Sequence, residues 1–278
     1  MNVPVLAPPL LLPDSHCHLD RDSLPSREAA VQRARASRVL PLVAVGVGGI
    51  PAILDTIRLA EENPDIVATV GIHPHDAKTA DEKAFAFLEE RAGHPRVAAL
   101  GETGLDFHYR HSAPREQTEA FRKTVALARK VRLPLVLHVR DAYPEAARVL
   151  REERGWEVGG MVHCFTGDRD AARAFLELGF LVSFSGVVTF RDAEKVRDAA
   201  RYVPAERLLL ETDSPYLAPV PLRGRANEPS FLLHTAALVA SLRGSTLEKL
   251  AETVLENTCR LFRLVRANDA EFGVARNP

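Results

Sequence analysis

Two histidines one residue apart, His16 and His18, stand in the stretch Pro13-Asp14-Ser15-His16-Cys17-His18-Leu19-Asp20. In an extended chain alternate side chains share a side, so the two imidazoles project together and Cys17 points the other way. Such a pair beside an acid is half of a divalent-metal site. Alone it is a weak signal, because one histidine of a pair can be structural and the other solvated. Four further residues complete the pattern: Glu102, His138, His163 and Asp213. All six fall at or just after the C-terminal end of a predicted strand. A lone strand histidine is more often a satisfied core residue. Six metal-type residues at equivalent places are hard to reconcile with core packing, since burying several ionisable groups together is costly without a cation.

Six ligands exceed what one tetrahedral catalytic ion takes, which suggests two divalent ions sharing a carboxylate. The expected arrangement has His16, His18 and Asp213 on one ion, His138 and His163 on the other, and Glu102 bridging. Mixed imidazole and carboxylate ligands suit zinc, manganese, cobalt, iron or nickel and do not exclude magnesium. Ions bridged in this way lower the pKa of a shared water and make hydroxide available at neutral pH. Asp213 would serve as ligand and general base together, and Glu102 and Asp213 are the expected catalytic pair.

These residues need a frame that brings them to one place. Residues 10–12 form a short apolar run that reads as a buried strand. A polar loop over 20–26 and a helix over 27–37 follow. The cycle then repeats, with strands expected over 39–47, 66–72, 97–100, 135–139, 160–164, 180–185 and 208–210. The runs are near-continuous in apolar residues, as strands covered on both faces are. Between them lie helical patterns over 51–62, 81–92, 115–131, 143–154, from Asp168 onward, and 193–202. The proline at 51 suits a first turn, Gly93 a helix end, and Asp168 an N-cap. The last part, 230–265, reads as helical. About eight strands alternating with helices point to a parallel sheet closed as a (β/α)8 barrel of the TIM type. An open doubly wound sheet is disfavoured, because only a closed barrel brings the first, fourth, fifth, sixth and eighth strand ends to one mouth.

The 278 residues would permit two domains, but barrels of this size are routinely one, and a single domain over 1–278 with its core at about 10–265 is expected. With 46% hydrophobic and 26% charged residues there is material for a large core. A formal net charge of −1 argues against a protein that coats nucleic acid, though not against a local phosphate site. The basic residues are 30 arginines and 6 lysines, a bias that reads as codon usage. Cys17, Cys164 and Cys259 form no CxxC pair, so a disulfide framework is not expected and a reducing cytoplasm is the natural compartment. Cys17 and Cys164 are expected to pack as small hydrophobes rather than bind metal. No apolar run reaches transmembrane length, and residues 1–12 lack the basic start of a signal peptide.

The motifs Asp-Ser-His-Cys-His-Leu-Asp, Gly-Ile-His-Pro-His, Gly-Glu-Thr-Gly-Leu-Asp, His-Val-Arg-Asp-Ala, His-Cys-Phe-Thr-Gly and Glu-Thr-Asp-Ser-Pro-Tyr-Leu-Ala-Pro occur in this order. Arg-Gly-Arg-Ala-Asn-Glu-Pro follows at 223–229. The series resembles the TatD family of metal-dependent deoxyribonucleases, a branch of the amidohydrolase-like barrels, over nearly the whole chain. The resemblance implies a divalent-metal-dependent phosphodiesterase acting on DNA, typically a 3′–5′ exonuclease or general DNase. Single strands or 3′ ends would be its substrate, two ions (Mg, Mn or Zn) its cofactors, and no obligate protein partner is implied. Its metal residues carry over to His16, His18, Glu102, His138, His163 and Asp213. Two departures, Thr103 where Ile is usual and Phe107 where Tyr is common, touch no ligand; Phe107 removes a hydroxyl near the mouth.

Around the metals, His73 is expected on the family likeness to hydrogen-bond a substrate phosphate, against the plainer reading of a solvated loop histidine. Arg140, two positions after His138, would project toward a phosphate unless it pairs with Asp141 or another loop acid. Arg223 and Arg225 lie in a basic loop expected to grip the nucleic-acid backbone, unless they form only a solvated cluster. His75, His108, His111 and Asp106 are rim candidates without assigned roles.

One rival is another hydrolase of the same superfamily, such as an esterase, a lactonase or an aminoacyl-tRNA deacylase using the same metals. Lactone and phosphotriester relatives usually bridge their ions through a modified lysine on the fourth strand, where this chain has Glu102. The other rival is a binding protein with an inactive barrel. The intact ligand set and near-neutral charge weigh against it, and no row of exposed aromatics for single strands is visible in the sequence.

Overall fold

The computed structural model describes residues 4–19, 26–268 and 271–275; of the polar loop expected over 20–26, all but Ser26 lies outside them. Eight parallel strands pair in chain order: β1 (Asp14–Cys17), β2 (Leu42–Gly46), β3 (Ile66–Val70), β4 (Val97–Asp106), β5 (Leu135–Arg140), β6 (Gly160–Val162), β7 (Leu181–Phe184) and β8 (Leu208–Leu210). Helices α1 (Arg27–Ala36), α2 (Ile50–Glu62), α3 (Glu82–Ala92), α4 (Pro114–Val131), α5 (Tyr143–Glu152), α6 (Arg169–Leu176) and α7 (Glu194–Tyr202) join successive strands. α8 (Leu232–Leu242) and α9 (Leu247–Phe262) follow β8. This is the expected (β/α)8 barrel. The strands are buried along almost their whole length, which accounts for their unbroken apolar runs in the sequence.

Hydrogen bonds draw the first and last strands together just past β8. Asp213 N donates to His16 O at 3.0 Å and His18 N to Ser214 O at 2.8 Å. Below them the buried Asp14 carboxyl accepts from Thr212 N (2.9 Å) and Thr212 Oγ1 (2.5 Å), and Ser15 Oγ donates to Leu210 O. Burial pushes the Asp14 carboxyl up to about 8, against the pull of the Thr212 donors. The strand that carries the first histidine is thereby locked to the strand that leads to Asp213.

Three expected elements differ. The first strand is Asp14–Cys17 rather than 10–12. Pro13 has no N–H to give a ladder, and the run at 10–12 bonds instead to the turn before β2, through Leu12 N to Arg38 O. The fourth strand does not end at 100 but continues to Asp106. Its register against β5 shifts between Gly101 and Thr103, so Glu102 lies within the strand, at an irregularity, rather than after its end. The helical tail is interrupted: α8 ends before Gly244, at φ 62°, and Thr246 caps α9 by accepting from Lys249 N. Leu264–Asn268 and Glu271–Val274 then form an antiparallel hairpin, β9 and β10. Asp168 does cap its helix, accepting from Ala171 N at 2.9 Å. Gly93 follows α3 but stays in the right-handed region.

The passage through the β4 irregularity requires glycine. Gly104 has φ +137°, and a Cβ there would lie 2.1 Å from the His138 carbonyl oxygen on β5. Gly104→Ala is therefore expected to cost about 3 kcal/mol, the combined order of a disallowed backbone and an overpacked contact. Urea unfolding of the metal-free protein measures this; a change under 1 kcal/mol (roughly a fivefold shift in the unfolding equilibrium) would mean that β5 yields without strain.

Candidate metal centre

The barrel brings all six expected ligands to one mouth. His16 lies within β1 and His18 just after it, Glu102 within β4, and His138 within β5. His163 directly follows β6, and Asp213 lies three residues past β8. As alternation requires, both first-strand imidazoles face the cluster, while Cys17 is buried with Sγ 3.5 Å from the Val43 carbonyl oxygen. Asp213 holds φ 56° and Cys164 φ 42°, a left-handed region that non-glycine residues enter rarely and mostly where surrounding structure fixes them.

Glu102 sits at the centre, 2% exposed. Its Oε2 faces His16 Nε2 at 3.6 Å and His18 Nε2 at 3.8 Å. Its Oε1 faces His138 Nδ1 and His163 Nε2, both at 2.7 Å, and His73 Nε2 at 3.3 Å. Asp213 Oδ1 closes the first side, 3.4 Å from His18 Nε2 and 3.7 Å from His16 Nε2. Among the described residues, three groups have ligand atoms close enough to share a cation: His16, His18 and Asp213; His16, Glu102 and His163; and His73, Glu102 and His138. The expected first trio is thus one of them, but the rest of the partition is blurred: His16 belongs to two groups, and His138 and His163, expected on one ion, fall in different ones.

Several observations test whether a cation fits. Both ring nitrogens of His16 are buried with no hydrogen-bond partner, a costly state for a protein group left alone. The separations of 3.4–3.8 Å between ligand atoms are too long for hydrogen bonds but near the spacing of atoms that each lie about 2.1 Å from a shared ion. Carboxyl groups also stand behind two of the rings. Asp106 Oδ2 lies 3.2 Å from His138 Nε2 and Glu211 Oε1 lies 3.3 Å from His163 Nδ1, so that once the rings give up their second proton the lone pairs of His138 Nδ1 and His163 Nε2 face Glu102. The donor set fits a divalent cation.

His73 differs. Its Nδ1 accepts from His75 N at 3.1 Å, so the neutral ring carries its proton on Nε2, the atom that faces Glu102. It offers a donor there rather than a ligand lone pair.

The charges are strongly coupled. Burial alone would raise Glu102, but His163, His73, His138 and His16 hold its carboxyl well below the usual range. Burial would lower His163, yet Glu102 and Glu211 keep it well above an ordinary imidazole. Burial and the neighbouring His163, stacked on it at 3.9 Å, push His16 down. His18 is raised, with Asp213 and Glu102 overcoming its burial, and His138 is raised by Asp106 and Glu102 in the same way.

Asp106, expected on the rim, is instead fully buried. It accepts from His75 Nε2 and from the backbone N–H groups of His108 and Tyr109. These and His138 hold its carboxyl well below the normal range in spite of burial. Gln117 of α4 grips the Asp106 backbone on both sides, donating to its O and accepting from its N. The sequence pattern assigns no role to Glu211, Gln117 or Asp14. His75, His108 and His111 do gather at the rim around Tyr109.

The mouth opens into a cavity of about 660 Å³ lined by His18, His73, Glu102, Arg140, Asp213 and Tyr216, among others. Arg140 does not pair with Asp141, which bonds His108; its guanidinium lies 4.7 Å over the Tyr109 ring. Arg223 lies outside this cavity, stacked on Phe190 at 3.9 Å and donating to Ala218 O, and Arg225 is exposed outside it. Among the described residues, no helix is long and apolar enough to cross a membrane.

Comparison with known proteins gives a consistent result. A profile of the family described as "TatD related DNase" matches residues 13–263. The chain is 42% identical over 258 residues to the "uncharacterized metal-dependent hydrolase YcfH" of Escherichia coli K12, covering 92% of this chain and 97% of that one. It is 38% identical over 244 residues to the "3'-5' ssDNA/RNA exonuclease TatD" of Pantoea vagans, covering 86% and 94%. Among solved structures, the TatD homologue YJJV of E. coli K12 superposes with a TM-score of 0.85 at 28% identity, covering 91% of this chain and 98% of that one.

Two outcomes follow from the cluster. Cation binding displaces protons from the raised imidazoles of His163, His138 and His18, so affinity should rise as pH climbs through and above the ordinary histidine range. Calorimetric titration in buffers of different ionisation enthalpy should show more protons released at pH 6.5 than at pH 8.5; equal release would contradict the raised values. Asp106→Ala should weaken divalent-cation binding about 10–100-fold by freeing His138, read by competition with a chromophoric chelator.

Proposed function

Because this chain belongs to the TatD-related DNase family and is a metal-dependent hydrolase, we propose that it hydrolyses phosphodiester bonds of single-stranded DNA, removing nucleotides from the 3′ end with two divalent ions. The observation that carries this reading is the division of Glu102. One oxygen faces His16 and His18 while the other faces His138 and His163, as a carboxylate bridging two ions would. Relatives named as 3′–5′ ssDNA/RNA exonucleases support the choice of substrate and polarity.

His16, His18 and Asp213 would hold one ion, and His138 and His163, which share the approach to Glu102 Oε1, the other. When bound, the pair supplies Lewis-acid activation of a water nucleophile and neutralises charge on the phosphoryl oxygens. The side chains do the rest. Asp106 and Glu211 keep His138 and His163 turned with their lone pairs inward. Asp213 Oδ1 faces the imidazoles, which leaves Oδ2 to accept the proton of the attacking water. His73 holds its protonated Nε2 3.3 Å from Glu102 Oε1 at the edge of the cavity, where a phosphate oxygen would share that proton with the carboxylate. Arg140, with its guanidinium 4.7 Å from the centre of the Tyr109 ring, offers forked donors to the next phosphate. Arg223 and Arg225 would act only on more distant parts of the strand.

The test is hydrolysis of an end-labelled single-stranded oligodeoxynucleotide by metal-stripped protein, with Mg²⁺, Mn²⁺ and Zn²⁺ restored separately. A metal-requiring ladder of single-nucleotide steps from the 3′ end is expected. Glu102→Ala should lower the rate more than about 100-fold, beyond the loss of a supporting partner. If wild type and variant are equally inert with every ion, DNA is the wrong substrate, and aminoacyl-RNA and small-molecule esters become the substrates to assay.

A further inference from the structure

Two exposed aromatic side chains line the mouth, and they differ in surroundings. Tyr109 follows β4 and is 53% exposed, with the Arg140 guanidinium over its ring and the His111 ring parallel to it at 5.7 Å. Tyr216 follows β8, four strands away and so across the barrel. It is 55% exposed and meets the ring of His18 edge-on, with centroids 5.8 Å apart. Leaving a large aromatic in water forgoes its burial energy, so a fold that fixes one there gains nothing in stability by doing so.

The turn under Tyr216 is fixed with unusual care. Tyr216 N donates to Asp213 O at 2.9 Å. Asn227, 1% exposed, spends its side-chain amide on two carbonyl oxygens, those of Tyr216 (2.6 Å) and Thr212 (2.9 Å). Asn227 N donates to Pro215 O. On the far side the chain packs so tightly that a Cβ on Gly186 would lie 2.1 Å from Leu217 O. The loop at 223–229, a basic grip by its sequence, thus uses its asparagine to hold Tyr216 rigidly beside the metal cluster.

We infer that Tyr216 is a stacking platform for the nucleobase of a nucleotide flanking the cleaved phosphate, with Asn227 as its positioning residue. This rests on the nuclease reading above. A ring within one residue's width of His18 is about one nucleotide from a phosphate at the cations, and every base has a π-face to offer regardless of sequence. Stacking also selects for single strands, because a base held in a duplex must first be unpaired and unstacked. On the opposite side Arg140 takes the phosphate charge, so the two walls of the mouth share the recognition of one nucleotide step.

The experiment compares wild type, Tyr216→Leu and Tyr216→Phe on single-stranded oligonucleotides carrying a normal 3′ end, a 3′-terminal abasic unit or a penultimate abasic unit. Tyr216→Leu should raise KM about tenfold or more on the normal strand, the loss of one base–aromatic stack, with kcat less affected. Tyr216→Phe should behave as wild type. Wild type should lose a similar factor on one of the two abasic strands, and Tyr216→Leu should lose nothing further on that strand. The inference is overturned if Tyr216→Leu stays within twofold of wild type on the normal strand, or if the substitution and the abasic unit lower activity independently. Cation affinity of Tyr216→Leu, expected unchanged, separates a lost stack from a displaced His18. A wild type that degrades no strand overturns the nuclease reading itself, and this inference with it, whereas an active wild type with an indifferent Tyr216→Leu overturns the inference alone.

Discussion

A buried carboxylate among imidazoles is the constraint on which this molecule turns. Glu102 lies within reach of five histidine rings, and burial alone would neutralise it. It stays charged because the rings respond, and they respond unequally: His163 is driven up while His16, stacked on it, is driven down. No placement of protons satisfies every atom, since His16 keeps two buried nitrogens without a partner. A cation would relieve part of this by taking the His16 Nε2 lone pair that faces Glu102 and Asp213, because one central charge serves several lone pairs at once.

The barrel is the device that sustains this arrangement. The clustered side chains come from strands far apart in the chain, and their relative heights depend on register. Two features set it. Near the seam, Asp14 joins the start of β1 to Thr212 while backbone bonds tie His16 and His18 to the Asp213–Ser214 turn. In β4, the register shift between Gly101 and Thr103 places Glu102 at an irregularity, with Gly104 admitting the β5 backbone that carries His138. Cluster geometry and barrel stability are therefore the same problem at these positions.

The six candidate ligands are legible in the sequence because histidine or acid at successive strand ends is a pattern that core packing alone rarely produces. Their support is not. Asp106 and Glu211 sit beside other polar residues in their motifs, and an acid that orients a histidine is written no differently from one that faces water. Gln117 lies in a long helix whose amphipathic pattern gives no hint that its amide closes on Asp106. The first strand is misplaced in an apolar reading because its leucines outweigh Pro13, although only residues after the proline supply the ladder. The hairpin at the C-terminus escapes because Val265 continues the helical periodicity of α9 after the chain has already turned at Arg263, φ 53°. Arg223 illustrates a different limit: composition shows a basic loop, but not that an aromatic ring and a carbonyl oxygen already engage the guanidinium.

The near-neutral net charge is compatible with a polyanionic substrate once the placement of charges is considered. Many of the arginines are engaged with carboxylates on the outer helices, as Arg148 is with Glu145 and Glu152, and Arg122 with Glu152 and Glu153. Such exposed pairs add little stability, but they leave the surface without a strong positive field. Before cations enter, the mouth itself carries Glu102, Asp106, Glu211 and Asp213 against Arg140 and a few shared protons, which does not favour phosphate. Bound divalent ions reverse that sign locally, as the largest charges in a site do. Attraction for a nucleic-acid strand would then reside at the cluster and vanish a few nucleotides away, and contacts such as a stacked base would matter more than backbone charge for holding the end in register. If the chain acts stepwise on a strand end as proposed, that distribution would ease release after each bond, because every phosphate neutralised by a long basic groove adds to affinity.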